Sequence, residues 1–92
     1  MTMMTIAICD DMQVDARRLH KQLERIVPGS EIRIFKSGEL LLEELEKKRK
    51  PYDAIFVNID SKKVDGLETI RKIREKEMSM AVLFMSRSDE YY

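Results

Sequence analysis

Several features that would narrow the function of a protein are scarce or missing in this chain of 92 residues. Cysteine occurs once, at Cys9, so no disulfide can form within the chain. Its position inside an apolar run favours a packing role in a reducing compartment. The chain also has no net charge, because 17 basic residues balance 17 acidic ones. No overall field therefore draws the chain onto nucleic acid or an anionic membrane, and we expect no direct nucleic acid binding by this segment.

Long apolar runs are absent as well, since no stretch approaches the length of a membrane span. The opening segment MTMM lacks the basic and apolar regions of a signal peptide. We therefore expect a cytoplasmic protein without membrane contact. With 43% hydrophobic and 37% charged residues, the chain is too apolar for a disordered tail and suits one small folded domain over residues 1–92.

Short apolar runs and helical repeats alternate along the first half of the chain. The run TIAIC, from Thr5 to Cys9, predicts a strand, and the apolar repeat from Val14 to Ile26 predicts the helix that follows it. Isoleucines alternate with Arg33 and Phe35 over residues 32–35, which predicts a second strand with one buried face. Ser37 then stands at a candidate N-cap of a second helix.

The same alternation continues in the second half. Residues 53–59 form the most apolar run of the chain and predict a central strand that is buried on both faces. A third helix over about residues 67–76 and a fourth strand over residues 80–85 follow, and Ser88 could cap a fourth helix that the sequence is too short to complete. Strict alternation of strands and helices predicts an α/β fold, in which helices cover both faces of a parallel sheet.

Polar side chains stand where the predicted strands end. They are Asp10 and Asp11 after the first strand, Asn58 and Asp60 after the third, and Ser86 after the fourth. Ligand sites in such folds lie beyond the carboxyl ends of the strands, and carboxylate and hydroxyl oxygens suit a magnesium ion. Spacing alone leaves an alternative open, in which Asp11 caps the first helix, Asp60 opens a turn and Ser86 ends a strand.

Three segments carry a resemblance to a known family. Residues 8–11 (ICDD), residues 52–66 (YDAIFVNIDSKKVDG) and residues 83–86 (LFMS) are similar, in order and spacing, to the motifs of bacterial two-component receiver domains. Asn58 lies eight residues before Gly66, as the phosphorylated aspartate of that family does. The resemblance covers essentially the whole chain. It implies a flavodoxin-like, doubly wound parallel sheet in strand order 2-1-3-4, without the last strand and helix. Residues 88–92 resemble receivers attached to LytTR-type DNA-binding domains.

The resemblance also implies a role for each strand-end residue. Asp10 and Asp11 would form the acidic pocket, with Asp11 as a direct magnesium ligand and Asp10 acting through water. The backbone carbonyl of Asp60 would complete the ligands, and Ser86 would be the switch hydroxyl. Asn58 would occupy the phosphoacceptor position and offer the metal only a neutral amide oxygen, so we expect weak magnesium binding or none.

Other positions depart from the family pattern. Ser61 and Lys62 stand where the family usually has a Met-Pro pair, and Arg87 stands where a small residue usually follows the switch hydroxyl. These departures favour a naturally degenerate pseudo-receiver over an engineered change at Asn58 alone. The fifth strand of the family, with its phosphate-binding lysine and aromatic switch residue, is missing. The fourth strand is then an open edge, through which a homodimer could form.

The leading interpretation is a signalling module of a two-component phosphorelay that is not an enzyme. It would not be phosphorylated at Asn58 and would contact a sensor histidine kinase or another signalling protein. Two alternatives use Asp60, either as the phosphoacceptor of a working receiver or as the nucleophile of a magnesium-dependent phosphohydrolase-like pocket. His20 lacks the helical bundle that surrounds phosphorelay histidines, so we assign it an exposed structural role.

Overall fold

A computed structural model describes residues 3–47, 52–58, 66–76 and 81–85 of the chain. The elements in chain order are β1 (Thr5–Cys9), α1 (Gln13–Ile26), β2 (Glu31–Phe35), α2 (Gly38–Lys47), β3 (Ala54–Asn58), α3 (Gly66–Lys76) and β4 (Ala81–Met85). The strands form one parallel sheet in the order β2-β1-β3-β4, which confirms the predicted architecture. The predicted fourth helix and Ser88 lie outside the described residues.

Apolar side chains form one cluster on each face of the sheet. Because successive side chains of a strand point to opposite faces, β1 contributes Ile6 and Ile8 to the cluster on the α1 side, and Ala7 and Cys9 to the cluster on the other side. Most of β3 is buried as well, which confirms the prediction of a central strand that is covered on both faces.

In two helices, fewer residues of the apolar repeat are buried than the sequence predicted. Val14 and Ile26 of α1 are exposed, and so is Leu67 of α3. In α3 the apolar repeat consists of Leu67, Ile70 and Ile73, in steps of three residues. Each step advances a helix by 300°, so the repeat drifts around the helix and Leu67 falls outside the buried stripe. The buried positions of α3 follow steps of three and four: Gly66, Thr69, Ile70 and Ile73.

The strand β2 departs from the predicted alternation. Phe35 is buried, and its ring makes an edge-to-face contact with the Tyr52 ring at a centroid distance of 6.3 Å. Ile34 is 37% exposed. The physical reason is its position at the outer strand of the sheet, where Ile34 lines an open cavity beside the start of α1 instead of packing into the core.

The start of α2 is fixed by a cap and by a close helix contact. The Ser37 Oγ accepts a hydrogen bond from the Leu40 backbone N–H at 3.2 Å, which confirms Ser37 as a capping residue. At the next residue, Gly38, an added Cβ would overlap with the Thr69 Oγ1 of α3 and lie 3.2 Å from the Thr69 Cβ. Glycine at this position therefore lets α2 and α3 approach each other.

None of the helices in the described part of the chain combines the length and apolar composition that a membrane crossing needs.

Cys9, at the end of β1, is fully buried and free of any disulfide, as expected for a packing residue. Loss of hydration is the main cause that raises the pKa of its thiol from 9.0 to about 12, and the nearby carboxylates of Asp10 and Asp11 contribute to the same increase.

We expect Gly38→Ala to lower the free energy of unfolding by about 1–3 kcal/mol, because the added methyl group overpacks the contact with Thr69. In an open helix the same change would stabilise the protein by about 1 kcal/mol. Urea denaturation measures the effect. Adding Thr69→Ala removes the overlapping hydroxyl and should recover part of the loss, so strictly additive effects in the double variant would contradict this account.

A second prediction concerns alkaline pH. The folded protein keeps the Cys9 proton up to about pH 12, whereas the unfolded chain releases it near pH 9.0. The contribution of Cys9 to stability is therefore fully present below pH 9.0 and is lost as the pH rises towards 12. Between about pH 8 and about pH 10.5, the protein should lose roughly 2 kcal/mol more unfolding free energy than Cys9→Ala does. Equal losses in the two proteins would contradict the raised pKa.

Candidate functional site

The carboxyl ends of the two inner strands bring two of the predicted site residues together. In the register of β1 and β3, Cys9 lies beside Val57, so the residues one step further on, Asp10 and Asn58, meet at the same edge of the sheet. Both side chains are buried, with exposed fractions of 4% for Asp10 and 1% for Asn58. A direct hydrogen bond joins them, since the Asn58 Nδ2 donates to the Asp10 Oδ1 at 3.0 Å.

Asp10 also connects this pair to two other elements. Its Oδ1 accepts a second hydrogen bond from the Met12 backbone N–H at 2.9 Å, just before α1 begins. Its own backbone N–H donates to the Phe35 carbonyl oxygen at 2.9 Å, at the end of β2. The position of Asp10 is therefore fixed by contacts with three elements besides its own strand.

The electrostatics of the pair depend on the amide. A carboxylate that is removed from water is costly unless donors compensate it, and here an amide and a backbone N–H share one oxygen of Asp10. Asn58 provides its donor without adding a charge. A carboxylate at position 58 would instead place two like charges at about the same 3.0 Å separation, which a metal ion or a shared proton would have to offset.

Asp11 stands next to this pair and is half-buried. Its carboxylate is close enough to the Cys9 thiol to help raise the pKa of that group. The alternative that made Asp11 the cap of the first helix is not supported, because Met12 occupies the N-cap position of α1. Asp10, Asp11 and Asn58 thus share one corner of the sheet and offer two carboxylates and one amide.

Two predicted site residues, Asp60 and Ser86, lie outside the described residues. Their roles as a metal ligand and as the switch hydroxyl stay predictions. Within the described ranges, no group of three or more His, Cys, Asp or Glu side chains is placed to hold a metal ion. The corner around Asp10 would therefore need the Asn58 amide oxygen, the Asp60 carbonyl or water to complete a coordination sphere.

A cavity of about 250 Å³ opens beside Asp10, between β2 and the start of α1. Two exposed basic residues, Arg17 and Lys36, take part in its lining. Sequence reasoning missed them, although Lys36 directly follows β2 and the strand-end rule that selected Asp10 and Asn58 applies to it equally.

His20 lies within α1, where its Nδ1 is 3.2 Å from the Glu24 Oε1. The imidazole is 32% exposed and is paired one helical turn along the same helix, which agrees with a structural role at the surface.

Similarities to known proteins identify the family of this chain. The family model of the response regulator receiver domain matches residues 6–92. An uncharacterised response regulatory protein of Vibrio cholerae is 28% identical over 88 residues, which are 95% of this chain and 33% of that protein. The hybrid signal transduction histidine kinase L of Dictyostelium discoideum is 31% identical over 78 residues, which are 84% of this chain and 4% of that protein. The chain thus spans a third or less of these curated relatives.

Solved structures agree on the fold. The beryllium-fluoride-activated receiver domain of DrrB, from Thermotoga maritima, superposes with a TM-score of 0.76 at 20% identity. This superposition covers 97% of the chain and 72% of the DrrB domain. The family match extends over nearly the whole chain, and the sheet has the strand order that the resemblance implied. The chain therefore belongs to the response regulator receiver domain family of two-component signalling systems.

Proposed function

We propose that this receiver domain does not accept a phosphoryl group at Asn58 and acts through protein contacts, without being an enzyme. The observation that carries the proposal is the buried hydrogen bond from the Asn58 amide to Asp10. By the spacing to Gly66, Asn58 occupies the place of the phosphorylated aspartate in the family.

The chemistry of transfer supports this proposal. A receiver attacks phosphorus with an anionic carboxylate oxygen, while a metal ion neutralises the charge on the phosphoryl oxygens. An amide has no anionic oxygen. The amide nitrogen of Asn58 is moreover engaged with Asp10, and the side chain is 1% exposed, so it is poorly placed to reach a donor.

We further propose that magnesium binds weakly or not at all. The residues that would hold it are Asp11 directly, Asp10 through water, and the oxygens of Asn58 and Asp60. A bound ion would supply positive charge for a phosphoryl group. Here the Asn58 amide already donates to Asp10, and this contact offsets the buried carboxylate without a cation. The pocket therefore has less need of a metal ion than one with an aspartate at this position.

The partners that we propose are a sensor histidine kinase or another signalling protein of the phosphorelay, and a second copy of the chain at the open sheet edge. Family membership and the similarity to a hybrid histidine kinase support the first class of partner. The balanced charge argues against direct nucleic acid binding by this segment. A free buried thiol at Cys9 is compatible with a cytoplasmic location, which we also propose.

A magnesium titration tests the pocket. We expect Asn58→Asp to bind magnesium about tenfold more tightly than the unmodified chain, because a carboxylate adds one negative charge at the metal. In metal-free buffer the same variant should be less stable by about 1–3 kcal/mol, since a hydrogen bond becomes a repulsion, and magnesium should restore the loss. Isothermal titration and urea denaturation measure the two effects.

The matched control is Gln22→Glu, which makes the same change from amide to carboxylate on the exposed part of α1. It should alter neither the magnesium affinity nor the metal-free stability by much. Equal dissociation constants for Asn58→Asp and the unmodified chain would contradict the weak-binding proposal.

Treatment with a small phosphodonor and magnesium tests the transfer chemistry. We expect no mass increase and no sustained phosphate release from the unmodified chain, because the acceptor oxygen is missing. A stable adduct mapped to Asp60 would instead support a working receiver with a displaced acceptor. Continuous phosphate release would support the phosphohydrolase alternative, and either result would overturn the proposal. Asn58→Asp, treated in parallel, shows whether the rest of the pocket is competent.

A further inference from the structure

The cavity of about 250 Å³ between β2 and the start of α1 combines charges of both signs with an apolar wall. All of its lining residues lie within the first described range of the chain, residues 3–47: Asp10, Gln13, Ala16, Arg17, Ile34 and Lys36. Asn58, at the phosphoacceptor position, does not line it. The cavity is therefore a separate feature beside the corner that Asp10 and Asn58 share.

Asp10 brings a buried carboxylate oxygen with spare acceptor capacity to this cavity. Its side chain is 4% exposed, and both of its hydrogen bonds, from the Met12 backbone N–H and the Asn58 amide, end on the Oδ1. Within the described ranges, no donor forms a hydrogen bond with the Oδ2. A carboxylate oxygen that is withdrawn from water without a donor is costly, so a cationic group that entered the cavity would be stabilised there.

Two cations on the walls of the cavity have no carboxylate partner in the described part of the chain. Arg17 belongs to α1, Lys36 follows β2, and both are exposed. Neither of them forms an ion pair with the described residues. By contrast, the Arg33 Nη1 on β2 lies 2.8 Å from the Glu44 Oε2. A guanidinium and an ammonium that face one cavity can bind a carboxylate or a phosphate group together.

An apolar wall lies between the charges of opposite sign. Ile34 is 37% exposed and lines the cavity together with the buried Ala16. A hydrocarbon segment of a ligand would cover Ile34 and remove its side chain from water. The volume of about 250 Å³ lies below the range of about 300–1,000 Å³ that is usual for drug-sized ligands, so the cavity suits a smaller molecule.

We propose that this cavity binds a small zwitterion. Its ammonium group contacts the Asp10 Oδ2, its carboxylate or phosphate group lies between Arg17 and Lys36, and a short hydrocarbon segment packs on Ile34. A simple anion would leave the Asp10 oxygen unmatched, and a simple cation would be repelled by the two basic side chains. The proposal adds a small-molecule site to a domain that we otherwise propose to act through protein contacts.

A titration with matched small molecules, followed by heteronuclear NMR in metal-free buffer of constant ionic strength, tests the site. The probes are γ-aminobutyrate and phosphoethanolamine, which carry both charges, and butyrate and ethanolamine, which each lack one. We expect at least one zwitterion to bind with a dissociation constant on the order of 1 mM and to shift the backbone amide signals of Gln13, Arg17 and Lys36. Butyrate and ethanolamine should bind at least about fivefold more weakly. Tighter binding of γ-aminobutyrate would identify the anionic group as a carboxylate, and tighter binding of phosphoethanolamine would identify it as a phosphate.

Variants of the two basic residues test the anionic end of the site. Arg17→Gln and Lys36→Gln should each weaken zwitterion binding at least about fivefold, because each removes one charge from the proposed contact. The matched control is Arg18→Gln, which makes the same change at the next residue of α1, outside the lining of the cavity. It should bind the zwitterions like the unmodified chain. Circular dichroism confirms that each variant is folded.

The cationic end of the site is tested at Asp10. Asp10→Asn should abolish the preference for γ-aminobutyrate over butyrate, because a neutral amide no longer attracts the ammonium group. This residue also supports the carboxyl edge of the sheet, so the variant may only be compared if it is folded. The comparison of the two probes on the unmodified chain tests the same contact without a substitution.

Absence of binding by both zwitterions up to about 50 mM would overturn the proposal. Equal affinities for γ-aminobutyrate and butyrate, or an equal loss of binding in Arg18→Gln and Arg17→Gln, would overturn it as well. None of these measurements involves magnesium or a phosphodonor. Their failure would leave the proposal for Asn58 standing, and failure at Asn58 would leave the zwitterion site standing.

Discussion

A buried carboxylate at the end of β1 is the constraint on which the carboxyl edge of this sheet depends. Asp10 keeps its place because two donors, the Asn58 amide and the Met12 backbone N–H, converge on one of its oxygens. The same residue joins β1 to the end of β2 through its backbone. The start of α1 and the ends of three strands are therefore held by a single residue, through its side chain and its backbone, and by its neutral partner.

Much of the fold was predictable, because its strands are short apolar runs with sharp ends. TIAIC matches β1 residue for residue, and residues 53–59 contain β3 with its burial on both faces. The cap at Ser37 was also predictable from residue type, because a serine hydroxyl just before a helical repeat can accept a hydrogen bond from a free backbone N–H of the first turn. The strand order came from the resemblance and not from the apolar pattern.

The failures concern positions where tertiary contacts decide exposure. Ile34 and Phe35 have similar hydrophobicity, but only Phe35 faces the Tyr52 ring and the α2 side of the core. At the site, the strand-end rule found Asp10 and Asn58, yet residue type alone could not reveal that the amide would donate to that carboxylate. Such a contact depends on the register between β1 and β3, which pairs residues 48 positions apart in the chain.

The charges on β2 limit how far any extended sheet can grow. β2 is an outer strand of the described sheet, and it carries Glu31 and the ion pair of Arg33 with Glu44. Another chain that approached this edge would meet charged side chains instead of a bare apolar strand. Growth of the sheet by addition of strands at β2 is therefore disfavoured, which protects this side of the domain against fibril formation.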